Sequence, residues 1–357
     1  MFQTGYILSP RADSFWFIGL PFLAVAFAIA AGHWLPFAAL AGIYVWITVP
    51  HHWATWLRTY AYRPDFERFR WRLFVGPALI VNAVLFGAIY APLTLFLLIR
   101  VWDTQHGLMQ QHGFGRIYDF KADTGAESTR RFDLGLHAVL YVNMMLATPL
   151  FTQTLWVPAL FKLGFTITPD QVVGFHQACW SVTIAYCAVY LAHVAWSVAN
   201  GHKLNPIKYA FIAASYFLWY YTAWQTNSLI VWAVAHRLMH GLQYIVMVHG
   251  TLRRETDRDP TSTGRAGALV ARGHLHWFIG AALAYAAAYQ LLLDGSLRDF
   301  GFGFLPALPA DLLGASNETS TLTQVRIILF AEAFQLVHFY FDSFIWKVSD
   351  RRVQQAL

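Results

Sequence analysis

Apolar residues occur along this chain in long runs, and short polar segments separate the runs. A helix needs about 20 predominantly apolar residues to cross the hydrocarbon core of a bilayer. We therefore predict an all-α, polytopic integral membrane helical bundle with about ten transmembrane helices. The predicted helices cover residues 15–33, 36–57, 73–90, 92–113, 132–151, 169–199, 206–224, 227–250, 274–293 and 321–347.

No linker or low-complexity tract divides these runs, which predicts a single transmembrane domain over residues 1–357. The first run, from Ser14 to Ala31, has the apolar length of a signal peptide. Its basic amino-terminal region consists of Arg11 alone, which favours a helix retained in the mature protein over a cleaved leader. The composition agrees with a membrane protein, since only 12% of the residues are charged, against about 25% in soluble domains.

The 25 lysines and arginines are unevenly distributed between alternate connecting segments. With the N-terminus inside, twenty lie on the inner side, and only Lys162, Arg298 and Arg326 lie on the outer side. Basic residues concentrate in the cytoplasmic loops of membrane proteins. We therefore expect both termini in the cytoplasm, with the protein in the plasma or inner membrane if the source is bacterial. This bias accounts for the net charge of +6 without a nucleic-acid partner.

Fifteen histidines are unusual in so apolar a chain, because polar side chains are costly in a bilayer. Four predicted helices each carry one histidine about 20 Å from their outer end, at 1.5 Å per residue. These four are His51, His106, His240 and His338. Neutral imidazole binds iron, zinc and copper, so histidines at one depth predict a metal site near the cytoplasmic face. The alternative is a set of separate polar residues bonded to backbone or water.

Helical spacing adds further candidates to this set. His236 and His240 are one turn apart in an HxxxH pattern that can bind a single ion, and Gln243 continues their face. The adjacent His51 and His52 point about 100° apart around their helix. One of the two is therefore expected to bind the ion, while the other faces substrate or a second ion.

The last predicted helix combines a histidine with an acid. His338 and Asp342 are four residues apart, and Gln335 lies on the same face. An acid among so many aromatic residues is costly without a cation nearby. Asp342 is therefore a metal ligand or a residue that orients His338, the alternative being an interfacial acid paired with Lys347.

Two more acids lie within predicted helices. Asp103 shares a helix face with His106, and Glu332 is a functional acid or a partner of Arg326 or Arg237. The candidate catalytic acids are Asp342, Asp103 and Glu332. The candidate metal ligands are His51, His52, His106, His112, His236, His240, His338 and Asp342. The supporting or lower-ranked candidates are His137, His193, His249, Gln243 and Gln335.

Several of these segments resemble a known family. They are Pro50-His51, His106-Gly107, the HxxxH of His236 and His240, and His338 followed by Asp342, Phe344, Trp346 and Lys347. Together they resemble the Brp/Blh-type membrane beta-carotene dioxygenases, which implies an all-helical protein that cleaves a carotene at a histidine-bound non-haem iron. The HxxxH pattern also resembles the histidine boxes of membrane desaturases, hydroxylases and alkane monooxygenases, although the HxxHH boxes common in those enzymes do not occur in this sequence.

These patterns together predict a metal-dependent membrane oxidoreductase. We expect one or two non-haem iron ions, with copper, zinc and manganese left open, and an oxygenase that uses O2 on a carotenoid-like or acyl substrate from the bilayer. An electron-donor protein at the cytoplasmic face fits such chemistry. The alternatives are a haem- or quinone-linked electron-transfer protein and a proton- or metal-coupled transporter.

Overall fold

The computed structural model describes residues 2–125, 127–294 and 318–357. In these residues the regular structure is helical, apart from two isolated β-bridges. The α-helices are α1 Pro10–Asp13, α2 Leu20–Trp34, α3 Phe37–Trp56, α4 Arg63–Tyr90, α5 Pro92–Lys121, α6 Glu127–Tyr141, α7 Pro149–Phe151, α8 Val157–Lys162, α9 Pro169–Ala199, α10 Pro206–Trp224, α11 Leu229–Arg258, α12 Arg265–Val270, α13 Leu275–Asp294, α14 Glu318–Ile345 and α15 Arg351–Ala356. The outer-side Arg298 and the side chain of Arg326 lie outside the described residues.

The ten predicted segments all fall on helical structure, so the all-α prediction is confirmed. Four π-helical stretches, which the apolar pattern did not predict, occupy Ser14–Gly19, Leu57–Ala61, Val142–Leu146 and Thr152–Trp156. The predicted segment 132–151 is also broken, with a bend of 51° before Pro149. A residue before proline is pushed out of the helical region, and Thr148 is accordingly extended and accepts a hydrogen bond from the Phe151 amide at 3.4 Å.

The number of helices apolar enough to cross a membrane is much lower than ten. Within the described residues three qualify by length and composition, and one bent pair makes a fourth if it counts as a single span. They are Pro10–Trp34, Arg63–Tyr90, Pro169–Ala199 and the pair Thr129–Leu146 with Pro149–Lys162. The prediction of about ten transmembrane helices is therefore wrong. Charged side chains such as Arg100 and Asp103 in α5, and Arg237 in α11, lower the apolar character of helices that the pattern counted as spans.

The chain forms two compact units. Unit 1 comprises Met1–Ala31 and Thr104–Met239, and unit 2 comprises Gly32–Asp103 and His240–Leu357. Helices α5 and α11 are each continuous and contribute residues to both units. Each unit therefore combines two separate stretches of the chain. The single domain over residues 1–357 stays a prediction.

Unit 1 contains a buried charge cluster. The Lys208 ammonium group, at the start of α10, lies 3.1 Å from Asp119 and 3.0 Å from Asp133, and none of its side-chain surface is exposed. Arg116 donates to Asp119 at 2.8 Å, and the Tyr190 hydroxyl donates to Asp133 at 2.7 Å. A buried charge is tolerated only when it is paired and hydrogen-bonded, and this cluster meets that condition while it joins α5, α6, α9 and α10.

Unit 2 is built around α3, α4, α11, α13 and α14. Helix α4 packs along α14, and α3 packs against both α13 and α14. Arg58, in the π-helical stretch after α3, bonds to Asp65 of α4 at 2.8 Å and to Glu255 of α11 at 3.0 Å. Because this ion-pair network is buried, it fixes the end of α3 against α4 and α11.

We expect Gly5→Ala to destabilise unit 1. A Cβ atom at Gly5 would lie 2.5 Å from the Ala122 backbone nitrogen, and neither chain segment can give way without moving backbone. Overpacking of this kind costs about 1–3 kcal/mol, measured as a lower unfolding midpoint of the purified protein. Gly113→Ala is the matched control, because no atom lies within 4 Å of its Cβ position and a helical alanine is favoured over glycine. Equal midpoints for the two variants would contradict the prediction.

Candidate metal centre

Three buried histidines meet in unit 2. His51 of α3, His240 of α11 and His338 of α14 have no exposed surface. The ring centroid of His51 lies 4.8 Å from that of His240 and 4.2 Å from that of His338. One ring nitrogen from each histidine lies within 4.8 Å of those of the others. This spacing brings three metal-ligand atoms to one point.

Local sequence brings α3 and α11 close at His51. A Cβ atom on Gly241 would lie 3.3 Å from Ile47 Cγ2 and 3.6 Å from His51 Cβ, so the absence of a side chain there leaves room for α3. The His51 Nδ1 atom lies 3.3 Å from the Thr48 carbonyl oxygen. A carbonyl only accepts hydrogen bonds, so this contact favours the Nδ1–H tautomer and leaves Nε2 as the ligand atom.

Hydroxyl groups surround His338 on its other side. Thr55 Oγ1 lies 2.6 Å from His338 Nδ1 and 2.7 Å from Tyr244 Oη. The Tyr244 hydroxyl donates to Asp342 Oδ1 at 2.7 Å, and the Trp346 indole N–H donates to Tyr244 Oη at 3.3 Å. Asp342 is thus held by hydroxyl groups of α3 and α11, rather than by the Lys347 considered from the sequence.

The other two candidate acids lie beside a cation. Gln335 donates to Asp103 Oδ1 at 2.6 Å. Arg100 lies 3.8 Å from Asp103 Oδ2 and forms an ion pair with Glu332. The observed partner of Glu332 is therefore Arg100, which the sequence-based candidates did not include, while the side chain of Arg326 lies outside the described residues. This pairing gives both acids a structural role in joining α5 to α14.

Most of the remaining candidates have aromatic or polar neighbours of their own. His52 has its ring centroid 5.1 Å from His51 and 5.2 Å from His338, so it stays in the group of unit 2. His249 packs on Phe278 with the ring centroids 4.8 Å apart. Gln243 is fully buried on the His240 helix.

Five candidate histidines belong to unit 1. His106 is buried on α5, three residues after Asp103. The other four lie among side chains of unit 1. The ring centroid of His236 is 5.1 Å from that of Trp232 and 5.8 Å from that of Trp219. The ring centroids of His112 and His137 are 5.2 Å apart, His137 bonds to Tyr216, and His193 stacks on Phe132 with the centroids 4.0 Å apart.

Two residues of the site were not among the candidates predicted from the sequence. Thr55 follows His51 by four residues, and Tyr244 follows His240 by four residues. Each therefore shares a helix face with a histidine. That spacing was the available signal, although it does not identify the bonded partners, since Thr55 contacts His338 and Tyr244 contacts Asp342 on α14.

The donor set defines what this site can do. The buried imidazole nitrogens of His51, His240 and His338 are a donor set that suits Fe, Zn or Cu. Comparison of the chain with protein-family models, with curated proteins and with solved structures finds no match. The geometry of the site therefore carries the functional argument.

Proposed function

We propose that this chain is an integral membrane metalloprotein that binds non-haem iron through His51, His240 and His338 and acts as an oxygenase or related oxidoreductase on a lipophilic substrate. The observation that carries the proposal is the meeting of these three buried histidines from α3, α11 and α14. Three imidazoles are costly to gather in a buried core, and a bound cation offsets that cost. Three imidazole ligands leave coordination positions open on a six-coordinate iron, which oxygen chemistry requires.

The resemblance to membrane carotene dioxygenases supports iron over zinc or copper and a carotenoid-like substrate over an acyl chain. Three of the histidines that carry the resemblance, His51, His240 and His338, are the proposed ligands. His236, the other half of the HxxxH pattern, packs on Trp219 and Trp232 of its own unit. We therefore propose a single ion rather than a pair.

The membrane setting is part of the proposal. Only 17% of the most apolar stretch of α4 is buried within the structure, which fits a helix surface that contacts lipid. The uneven distribution of lysine and arginine supports cytoplasmic termini. A substrate soluble in the bilayer would then reach the protein laterally, and an electron-donor protein would dock on the cytoplasmic side.

Metal analysis and an optical spectrum of the protein purified from membranes test this proposal. We expect close to one iron per chain, no Soret band, and O2 uptake that depends on an added carotenoid. A Soret band would replace the proposal with a haem-linked electron-transfer function. If the purified protein holds no iron, and proteoliposomes that contain it accumulate protons or metal ions, a transporter function would replace the proposal.

A further inference from the structure

A chain of short contacts leads from His338 to Asp342 through two hydroxyl groups. Thr55 Oγ1 is 2.6 Å from His338 Nδ1, Tyr244 Oη is 2.7 Å from Thr55 Oγ1, and Asp342 Oδ1 is 2.7 Å from Tyr244 Oη. The direct route between the two ends is longer, since His338 Nε2 and Asp342 Oδ2 are 3.6 Å apart. That distance is beyond a hydrogen bond, so the hydroxyl groups make the connection.

The chemistry of the groups fixes the direction of each hydrogen bond. A carboxylate only accepts, so the single hydroxyl hydrogen of Tyr244 points to Asp342. The Tyr244 oxygen then accepts from Trp346 and from Thr55. Thr55 uses its one hydrogen towards Tyr244 at 2.7 Å, with Asp342 Oδ1 a longer acceptor at 3.5 Å, so its oxygen accepts from His338. The donor at that end is the Nδ1–H group of His338.

We propose that Asp342, Tyr244 and Thr55 form a hydrogen-bond relay that holds His338 in the Nδ1–H tautomer and turns its Nε2 lone pair to the metal. The inference rests on the metal function proposed above. Asp342 is then a positioning residue that acts through Tyr244 and Thr55, rather than a ligand. His51 is held in the same Nδ1–H tautomer by a single contact, since its Nδ1 lies next to the Thr48 carbonyl oxygen.

The relay matters because a histidine ligand is held in place by the hydrogen bond of its other ring nitrogen. Loss of such a partner costs about 10–100-fold in metal affinity. The relay is buried, with Thr55 fully enclosed and Tyr244 only 2% exposed. Water therefore has little access to replace a lost hydroxyl group.

Zn²⁺ binding to the metal-stripped full chain tests the relay. Thr55→Val and Tyr244→Phe should each weaken Zn²⁺ binding by about 10–100-fold, and Thr55→Ser should retain wild-type affinity because it keeps the hydroxyl group. Thr251→Val is the matched control, since the Thr251 hydroxyl is buried and bonds to backbone carbonyls of its own helix at 2.8 and 3.0 Å. Wild-type affinity in both Thr55→Val and Tyr244→Phe would overturn the relay.

A second measurement separates the relay from the metal function. Nitrogen-15 NMR of the metal-free protein, with the His338 signal identified by its loss in His338→Gln, reports the tautomer directly. We expect the Nδ1–H form in the wild type and in Thr55→Ser, and a shift towards the Nε2–H form in Thr55→Val. An Nε2–H tautomer in the wild type would overturn the relay. Wild-type protein that binds no metal but shows the Nδ1–H form would refute the proposed function alone.

Discussion

The double variant His51→Ala/His338→Ala is expected to purify without stoichiometric metal while it keeps its helical content. The ring centroids of these two histidines are 4.2 Å apart, and the two residues come from different helices. Removal of both leaves one of the three proposed imidazole ligands, too few for a stable protein site with nitrogen ligands. Elemental analysis of the purified variant, with circular dichroism for its fold, measures the result.

The matched control for this variant is His276→Ala. His276 is exposed at the start of α13, so its substitution removes one imidazole and leaves the buried histidines unchanged. We expect its metal content to equal that of the wild type. A double variant that retains one metal ion per chain would show that the ion binds elsewhere, and the assignment of His51 and His338 as ligands would fail.

Lys208→Met is expected to cause the largest loss of stability among single substitutions in unit 1. The change removes the ammonium group that lies 3.0 Å from Asp133 and 3.1 Å from Asp119. Loss of one partner from a buried ion pair costs about 3–5 kcal/mol, because the remaining charge stays buried without compensation. The measurement is the unfolding midpoint of the purified protein in detergent.

Two further variants separate the buried charge from a general effect of the substitution. Lys203→Met removes the same charge from an exposed position near the same end of α10 and should leave the midpoint unchanged. Asp133→Asn in the Lys208→Met background removes one of the two carboxylates that have lost Lys208, whereas Asp119 keeps Arg116, and it should recover part of the loss. A midpoint for Lys208→Met equal to that of Lys203→Met would rule out a structural role for the cluster.

The positions of the helices could be predicted from the sequence because long apolar runs have few alternatives to helix. The break at Pro149 is also visible locally, since proline excludes the preceding Thr148 from the helical region. The number of spans could not be predicted in the same way. Whether an apolar run faces lipid or a protein core depends on partners far away in the chain, as the pairing of Arg100 with Glu332 illustrates.

The site was predictable in part for a similar reason. His51, His240 and His338 have similar predicted depths along their predicted spans, and a predicted depth can be counted from the sequence. Which face each ring occupies against its neighbours depends on packing, so the candidate set also contained His112 and His193, which lie among aromatic residues of unit 1. The residue types of Thr55 and Tyr244 alone do not indicate a role in the site. Only their four-residue spacing from His51 and His240 identifies them as candidates.

The separation of the ligands along the chain has a consequence for biosynthesis. Thr55 and His338 are in contact, yet 283 positions separate them in the sequence. During synthesis the N-terminal part folds first, so α3 is made long before α14 supplies its histidine. Metal binding and completion of the fold are coupled when the ligands come from distant segments. If the proposed iron function holds, the newly made chain persists as a metal-free intermediate, and iron insertion is a late step of its assembly.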